Sequence, residues 1–130
     1  MSSFLLISTD GPVTTVTLNR PDKRNALNTE LLGQLIAAIT AAEADKTQRI
    51  LVLRGAGKVF CSGLDLDEAA QPDRAHASAE HIAQALRTLA ASRLITIAAV
   101  QGAAIAGGAG LMTACDFAVA THVAKFGYPE

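Results

Sequence analysis

Apolar residues recur along this chain with two distinct periods. Phe4 to Ser8 and Val13 to Leu18 are short apolar runs around Asp10-Gly11-Pro12, a pattern that predicts two strands joined as a hairpin. Asn19-Arg20-Pro21 breaks the second run. From Glu30 to Ala44, the residues Leu31, Leu32, Leu35, Ile36, Ile39 and Ala42 fall at helical spacing on one face, and Asn28 or Thr29 stands ready to cap it. Ile50 to Leu53 predicts a compact buried strand closed by Gly55-Ala56-Gly57. A loop from Lys58 to Asp65 follows, then a polar, mobile stretch to about Ala75. Ala77 to Ala91 predicts a second helix, with Ile82, Leu86 and Leu89 facing inward. Ile97 to Val100 and Phe117 to Ala120 predict two more strands. Between them lie a glycine- and alanine-rich turn, Gly102 to Gly110, and a small-residue helix ending near Asp116.

Strands alternating with amphipathic helices imply an α/β fold with a parallel sheet and crossover helices, here in a ββα-like rhythm. With 130 residues, half of them apolar and few of them aromatic, the chain predicts a closely packed aliphatic core. The net charge of −1, with signs mixed and no basic patch interleaved with aromatics, argues against a nucleic-acid partner. The start, Met1 to Gly11, carries no positive residue ahead of its short apolar run, so it does not read as a secretory signal. Cys61 and Cys115 lack a C-x-x-C spacing, which predicts reduced thiols and a cytoplasmic protein.

The stretch from Thr96 to Asp116 carries the chemistry. A turn poor in side chains lets another molecule approach the backbone closely. The helix that follows aims its free N–H groups and positive dipole end at whatever sits there, which is how a protein holds a developing oxyanion without a metal. A membrane-spanning helix is opposed by Gly102, Gly107, Gly108, Gly110, Gln101, Thr96 and Thr113, although no charge falls between Arg93 and Asp116. A nucleotide turn is opposed by its partial motif, by Glu130 lying well past the next strand, and by the lack of a Gly-Lys-Ser/Thr sequence. Glycines kept only for tight helix–strand packing stay open as a reading of this segment alone. A second segment, Val59 to Leu66, leaves a buried strand through Gly63 and enters a helix near Asp65, an N-cap residue. One N–H from it and one from Gly107-Gly108 could converge on one oxygen, or this could be an ordinary strand-to-helix loop. His76, His81 and His122 have no metal-ligand spacing, and Cys61 reads as a small buried hydrophobe.

Asn19-Arg20-Pro21, then Arg24 to Asn28, Phe60 to Leu66, Ala98 to Asp116 and Ala124 to Glu130 occur in fixed order. In that order and spacing they resemble the crotonase superfamily, the enoyl-CoA hydratase/isomerase family, over almost the whole chain. The resemblance implies a crotonase-like ββα spiral core. Residues 1–130 would be the N-terminal part of an acyl-CoA-binding domain, truncated, with further spiral turns and C-terminal helices expected after Glu130. It implies hydratase or isomerase chemistry on an acyl-CoA thioester through an enolate held in an oxyanion hole. Coenzyme A would come only as part of the substrate, with no metal, no nucleic acid and no membrane, and the full-length protein would be a homo-oligomer, trimer or hexamer.

Residue by residue, the backbone N–H groups of Ser62 and Gly107 match the family's oxyanion pair. Arg24, Ala26 and Leu27 match the segment lying against CoA, where a cation meets phosphate. Gly63, Leu64 and Asp65 match the thioester side of the pocket, and Glu130 matches the acid of the family's P-E motif. The departure is Gly110, which stands where the family's G-G-x-E-L motif has its other glutamate and is expected to face the same cavity as Glu130. Syn addition of water needs one group to orient water and one to protonate carbon. Glu130 then does both with a water relay, or Asp67 or Glu68 swings in, or the reaction is a 1,3-proton shift run by a single base. A catalytically silent remnant serving as a binding or assembly module is the alternative.

Overall fold

A computed structural model describes residues 3–129, and Glu130, the expected acid, lies outside the described residues. Strands β1 (Leu5–Asp10) and β2 (Val13–Leu18) pair antiparallel from Leu5 opposite Leu18 to Asp10 opposite Val13. Gly11, at φ +57°, makes the turn between them. Helix α1 (Thr29–Ala44) carries the chain to β3 (Ile50–Gly55), parallel to β2. Helices α2 (Leu66–Ala69) and α3 (Pro72–Ala91) lead to β4 (Ile95–Val100), parallel to β3. The chain then forms the short strand β5 (Ala103–Ile105), helix α4 (Gly107–Ala114) and β6 (Phe117–Ala120), which pairs parallel with β4. The main sheet has the order β1-β2-β3-β4-β6, and a small parallel sheet joins β5 to β7 (Lys125–Gly127). The expected parallel α/β architecture is the one observed.

The core lies between α1, α3 and the sheet. Leu31, Leu32, Leu35 and Ile39 of α1 are fully buried, as are Val16, Leu18, Leu51 and Leu53 on the strands beneath. Each buried leucine contributes about 1.5–3 kcal/mol relative to exposure. The Asn28 side chain accepts the Leu31 N–H at 2.8 Å, which starts α1. Arg93 closes its other end, donating to the carbonyls of Glu43, Asp45 and Gln48 at 2.7–3.1 Å. The edge strand β6 is exposed along its whole length.

Three expectations change. The polar stretch before Ala75 is ordered, with α2 in it and α3 beginning at Pro72, because Pro at the first helical position and Asp73 in the first turn favour a helix start. The glycine-rich turn is interrupted by β5 and already helical from Gly107. Its partner β7 was not foreseen at all.

Candidate active site

Three segments meet where β3, β4 and α4 end or begin. Asn25 ties the first, 20–27, to the exit of β3. It is fully buried and left-handed at φ 57°, a conformation asparagine tolerates. Its side-chain oxygen accepts the Arg20 N–H at 2.8 Å, and its amide nitrogen donates to the carbonyls of Ala56, Val59 and Phe60 at 2.9–3.1 Å. Arg20 reaches onward to the second segment, pairing with Asp65 at 2.8 Å while donating to the Ala26 carbonyl at 2.9 Å.

The second segment, 60–65, is zipped between its neighbours by single bridges, Cys61 to Ala104 and Leu27 to Leu64. Its donors can be followed one by one. Phe60 N–H goes to the Gln101 carbonyl at 3.0 Å, Cys61 to Ala103 at 3.1 Å, Ser62 to Arg24 at 3.0 Å and Asp65 to Leu27 at 2.9 Å. Gly63 N–H acts on the Cys61 thiol, lowering its pKa against the larger effect of burial. Leu64 N–H has no acceptor among the described residues. The Leu27 backbone bonds the Gly63 carbonyl and the Asp65 N–H, so strand alternation turns the Leu64 N–H to the side away from Leu27.

The third segment enters α4 through Ala106, held at φ 51° and ψ −114°. An alanine rarely occupies this region, and such a residue stores about 1–3 kcal/mol of strain. The Ala106 N–H is fixed by the Gly127 carbonyl at 2.8 Å. Gly107 follows as the first residue of α4, and its N–H has no acceptor among the described residues, as expected at a helix start. The segments approach too closely for side chains. A Cβ on Gly63, itself at φ +105°, would lie 3.1 Å from the Ile105 carbonyl oxygen, and one on Gly108 would strike the Cys61 carbonyl.

These segments wall an open cavity of about 1090 Å³. Asp22, Lys23 and Arg24 stand on one part of its wall, all exposed, while Ile82 and Leu86 of α3 form another with Gly107 and Gly110. A Cβ on Gly110 would meet only the Leu86 methyls, at 3.4 and 3.6 Å. Tyr128, from the end of β7, also borders the cavity.

Of the residues singled out by sequence, Arg24, Ala26, Ser62, Leu64, Asp65, Asp67, Gly107 and Gly110 border this cavity, Asp67 with an exposed side chain. Ser62 does so with its N–H already given to Arg24, so it has no free backbone donor to offer. Leu27 and Gly63 are buried behind the wall, and Leu27 sits where a Cβ on Gly107 would touch it at 3.4 Å. They shape the site without lining it. The Asp65 carboxylate is committed: one oxygen caps α2 by accepting the Glu68 N–H at 3.1 Å and the other meets Arg20. Burial pushes its pKa up, but the Arg20 guanidinium and the Glu68 and Asp67 N–H groups outweigh this and hold it below the usual value.

Glu68 is committed too. It is buried, accepting from Thr29 N–H at 2.8 Å, Thr29 hydroxyl at 3.1 Å and Ser78 hydroxyl at 3.0 Å, so it anchors the start of α1 and is not poised to swing into the site. Burial pushes the Cys61 thiol up to about 12 against the Gly63 N–H, far from a nucleophile's range. No metal-ligand cluster occurs among the described residues, and no helix there is long and apolar enough to cross a membrane. Asn25, Leu64 as donor, Ala106 and Tyr128 gain roles that sequence reasoning did not give them.

The chain matches the family described as enoyl-CoA hydratase/isomerase over residues 8–130. It is 40% identical over 128 residues to a 2,3-dehydroadipyl-CoA hydratase of Escherichia coli, covering 98% of this chain and 50% of that protein. To the enoyl-CoA hydratase EchA19 of Mycobacterium tuberculosis it is 38% identical over 130 residues, covering 96% of this chain and 49% of that one. Its fold superposes on a crystal structure of an enoyl-CoA hydratase/carnithine racemase from Magnetospirillum magneticum with a TM-score of 0.91 at 35% identity, over 99% of this chain and 50% of the other. The chain thus spans about half the length of the relatives it matches.

Proposed function

Because this chain belongs to the enoyl-CoA hydratase/isomerase family, we propose that it supplies the oxyanion-hole half of an enzyme that turns an acyl-CoA thioester into its enolate. The observation that carries this reading is the donor pattern. Leu64 N–H and Gly107 N–H, both on the wall of one cavity, are without acceptors among the described residues, while Ser62 N–H is taken. The thioester oxygen accepts from Leu64 and Gly107, with the positive end of α4 behind it. Each such donor is worth about 3 kcal/mol in the transition state. Lys23 and Arg24 meet the CoA phosphates from the exposed part of the wall.

Glu130, two residues past Tyr128, is the proton-transferring carboxylate in this reading. With Gly110 where the family motif carries a second carboxylate, the reaction that Glu130 runs unaided is a 1,3-proton shift. It takes a proton from one carbon and returns it to another, and the enolate holds the electron pair meanwhile.

The test is exchange of the α-protons of an acyl-CoA with D2O, catalysed by the complete protein that carries this chain. Wild-type protein should catalyse the exchange, and Glu130→Gln should slow it roughly 100-fold with thioester affinity nearly unchanged. No exchange, or exchange indifferent to Glu130, contradicts the reading.

A further inference from the structure

Tyr128 on the cavity wall shares a hydroxyl pair with Thr113, next to Gly110, that neither proton transfer nor CoA binding uses. Thr113 follows Gly110 by three residues on α4, so both face the same way. The Thr113 hydroxyl donates to the Gly110 carbonyl at 3.1 Å and lies 3.3 Å from the Tyr128 hydroxyl. A hydroxyl has one proton to give. Thr113 has given its proton to Gly110, so the Tyr128 O–H is the donor in the second bond. The phenol oxygen is left as an acceptor, on a side chain that borders the cavity and is 57% exposed. The bond is long for O–H···O, which leaves the ring free to adjust when a ligand arrives.

We propose that Tyr128 is a water-positioning residue, and that its oxygen provides the acceptor which a carboxylate at position 110 would otherwise offer to water. The proposal rests on the enolate reading above and extends it to water addition across a 2,3-enoyl thioester. One hydrogen of the water is held by the Tyr128 oxygen and stays on the product hydroxyl. The other passes to the Glu130 carboxylate as the water oxygen bonds to the β-carbon. The π-electron pair moves onto the thioester as the enolate, which collapses by taking the proton from Glu130 at the α-carbon. Atoms and charge balance with a single carboxylate, because Tyr128 orients the water and changes no protonation state. Ile82 and Leu86, the apolar side chains against Gly107 and Gly110, themselves offer water no partner.

The experiment compares two rates in the complete protein: hydration of a four-carbon trans-2-enoyl-CoA, and α-proton exchange of the saturated acyl-CoA. Tyr128→Phe should lower kcat for hydration at least about tenfold, with KM and the exchange rate changed less than about twofold. Thr113→Val, which frees the phenol from its acceptor, should lower hydration by a smaller factor and have no further effect when combined with Tyr128→Phe. Hydration unchanged in Tyr128→Phe overturns the proposal. So does an equal fall in both rates, which would mark a merely structural tyrosine, and so does a wild-type protein that exchanges protons yet hydrates nothing. A wild-type protein that exchanges no protons overturns the enolate reading itself.

Discussion

The two ends of this molecule are held together by different means. Under α1, the contacts are between side chains: Leu31, Leu32, Leu35 and Ile39 lie over Val16, Leu18, Leu51 and Leu53, all fully buried. Around 60–65 and 103–110 the contacts are between backbones, with glycines pressed against carbonyls, single-residue bridges, and Ala106 and Asn25 in left-handed conformations. The first arrangement maximises apolar burial and tolerates small shifts by repacking. The second cannot repack, because its geometry is set by hydrogen bonds and by the lack of Cβ atoms. Such rigidity suits the proposed use of two backbone N–H groups as reagents, and the strain at Ala106 is located where the first turn of α4 meets the cavity.

The contrast is most severely tested in the core. Leu35→Ala should cost about 2–5 kcal/mol of stability, measured by denaturant unfolding of the complete protein. Folded molecules of the variant should keep their affinity for an acyl-CoA. A large loss of affinity in the folded fraction would mean that the two regions are not separable.

Asn25→Ala comes next. It strips a donor from three carbonyls and an acceptor from Arg20, and puts alanine at a left-handed position, so it should cost about 1–3 kcal/mol. Unlike Leu35→Ala, it should also impair turnover, because the Arg24 carbonyl that holds Ser62 moves with it. Equal effects of Asn25→Ala and Leu35→Ala on turnover per folded molecule would erase the distinction.

Ala106→Gly should act in the opposite direction. Removing the methyl relieves the strained φ and ψ and should stabilise the protein by about 1 kcal/mol after the entropic cost of glycine. A thermal melt that shifts downward would show that the strain is not there.

The smallest effect is in the acid range. The folded-state pKa of Asp65 lies below its unfolded value of 3.8, so the Arg20–Asp65 pair contributes fully above that value. The contribution is lost as pH falls below 3.8 through the folded pKa. Asp65→Asn should therefore lower stability at neutral pH and flatten its decline in acid, and an unaltered acid profile would exclude the pair as a contributor.

The same division explains what the sequence made legible. The leucine spacing of α1, its Asn28 cap, the strands β2, β3 and β6, and Asp65 as the cap of α2 follow from periodicity and capping chemistry, which are local. Strands β5 and β7 are three residues each and pair across the intervening α4 and β6, so no period announces them. The start of α3 was hidden by its polar first turn, although Pro72 and Asp73 signal it. Segment order was enough to bring Phe60–Leu66 and the Gly107 turn together through a family resemblance. Which N–H in the loop is free depends on where every other one goes, and that is fixed by the distant Arg24, Leu27, Gln101 and Ala103. Hence it is the Ser62 N–H that is taken and the Leu64 N–H that is left without an acceptor among the described residues.

The central claim is that two backbone N–H groups, Leu64 and Gly107, polarise one thioester carbonyl. Its most direct measurement is the infrared difference spectrum of an enoyl-CoA with a 13C-labelled thioester carbonyl, bound to the complete protein with Glu130→Gln to prevent turnover. The claim predicts a carbonyl stretch shifted to lower frequency than in water, and a shift that survives Ser62→Pro replacement of the Ser62 N–H better than Leu64→Pro. A bound carbonyl that vibrates as it does in water would contradict it.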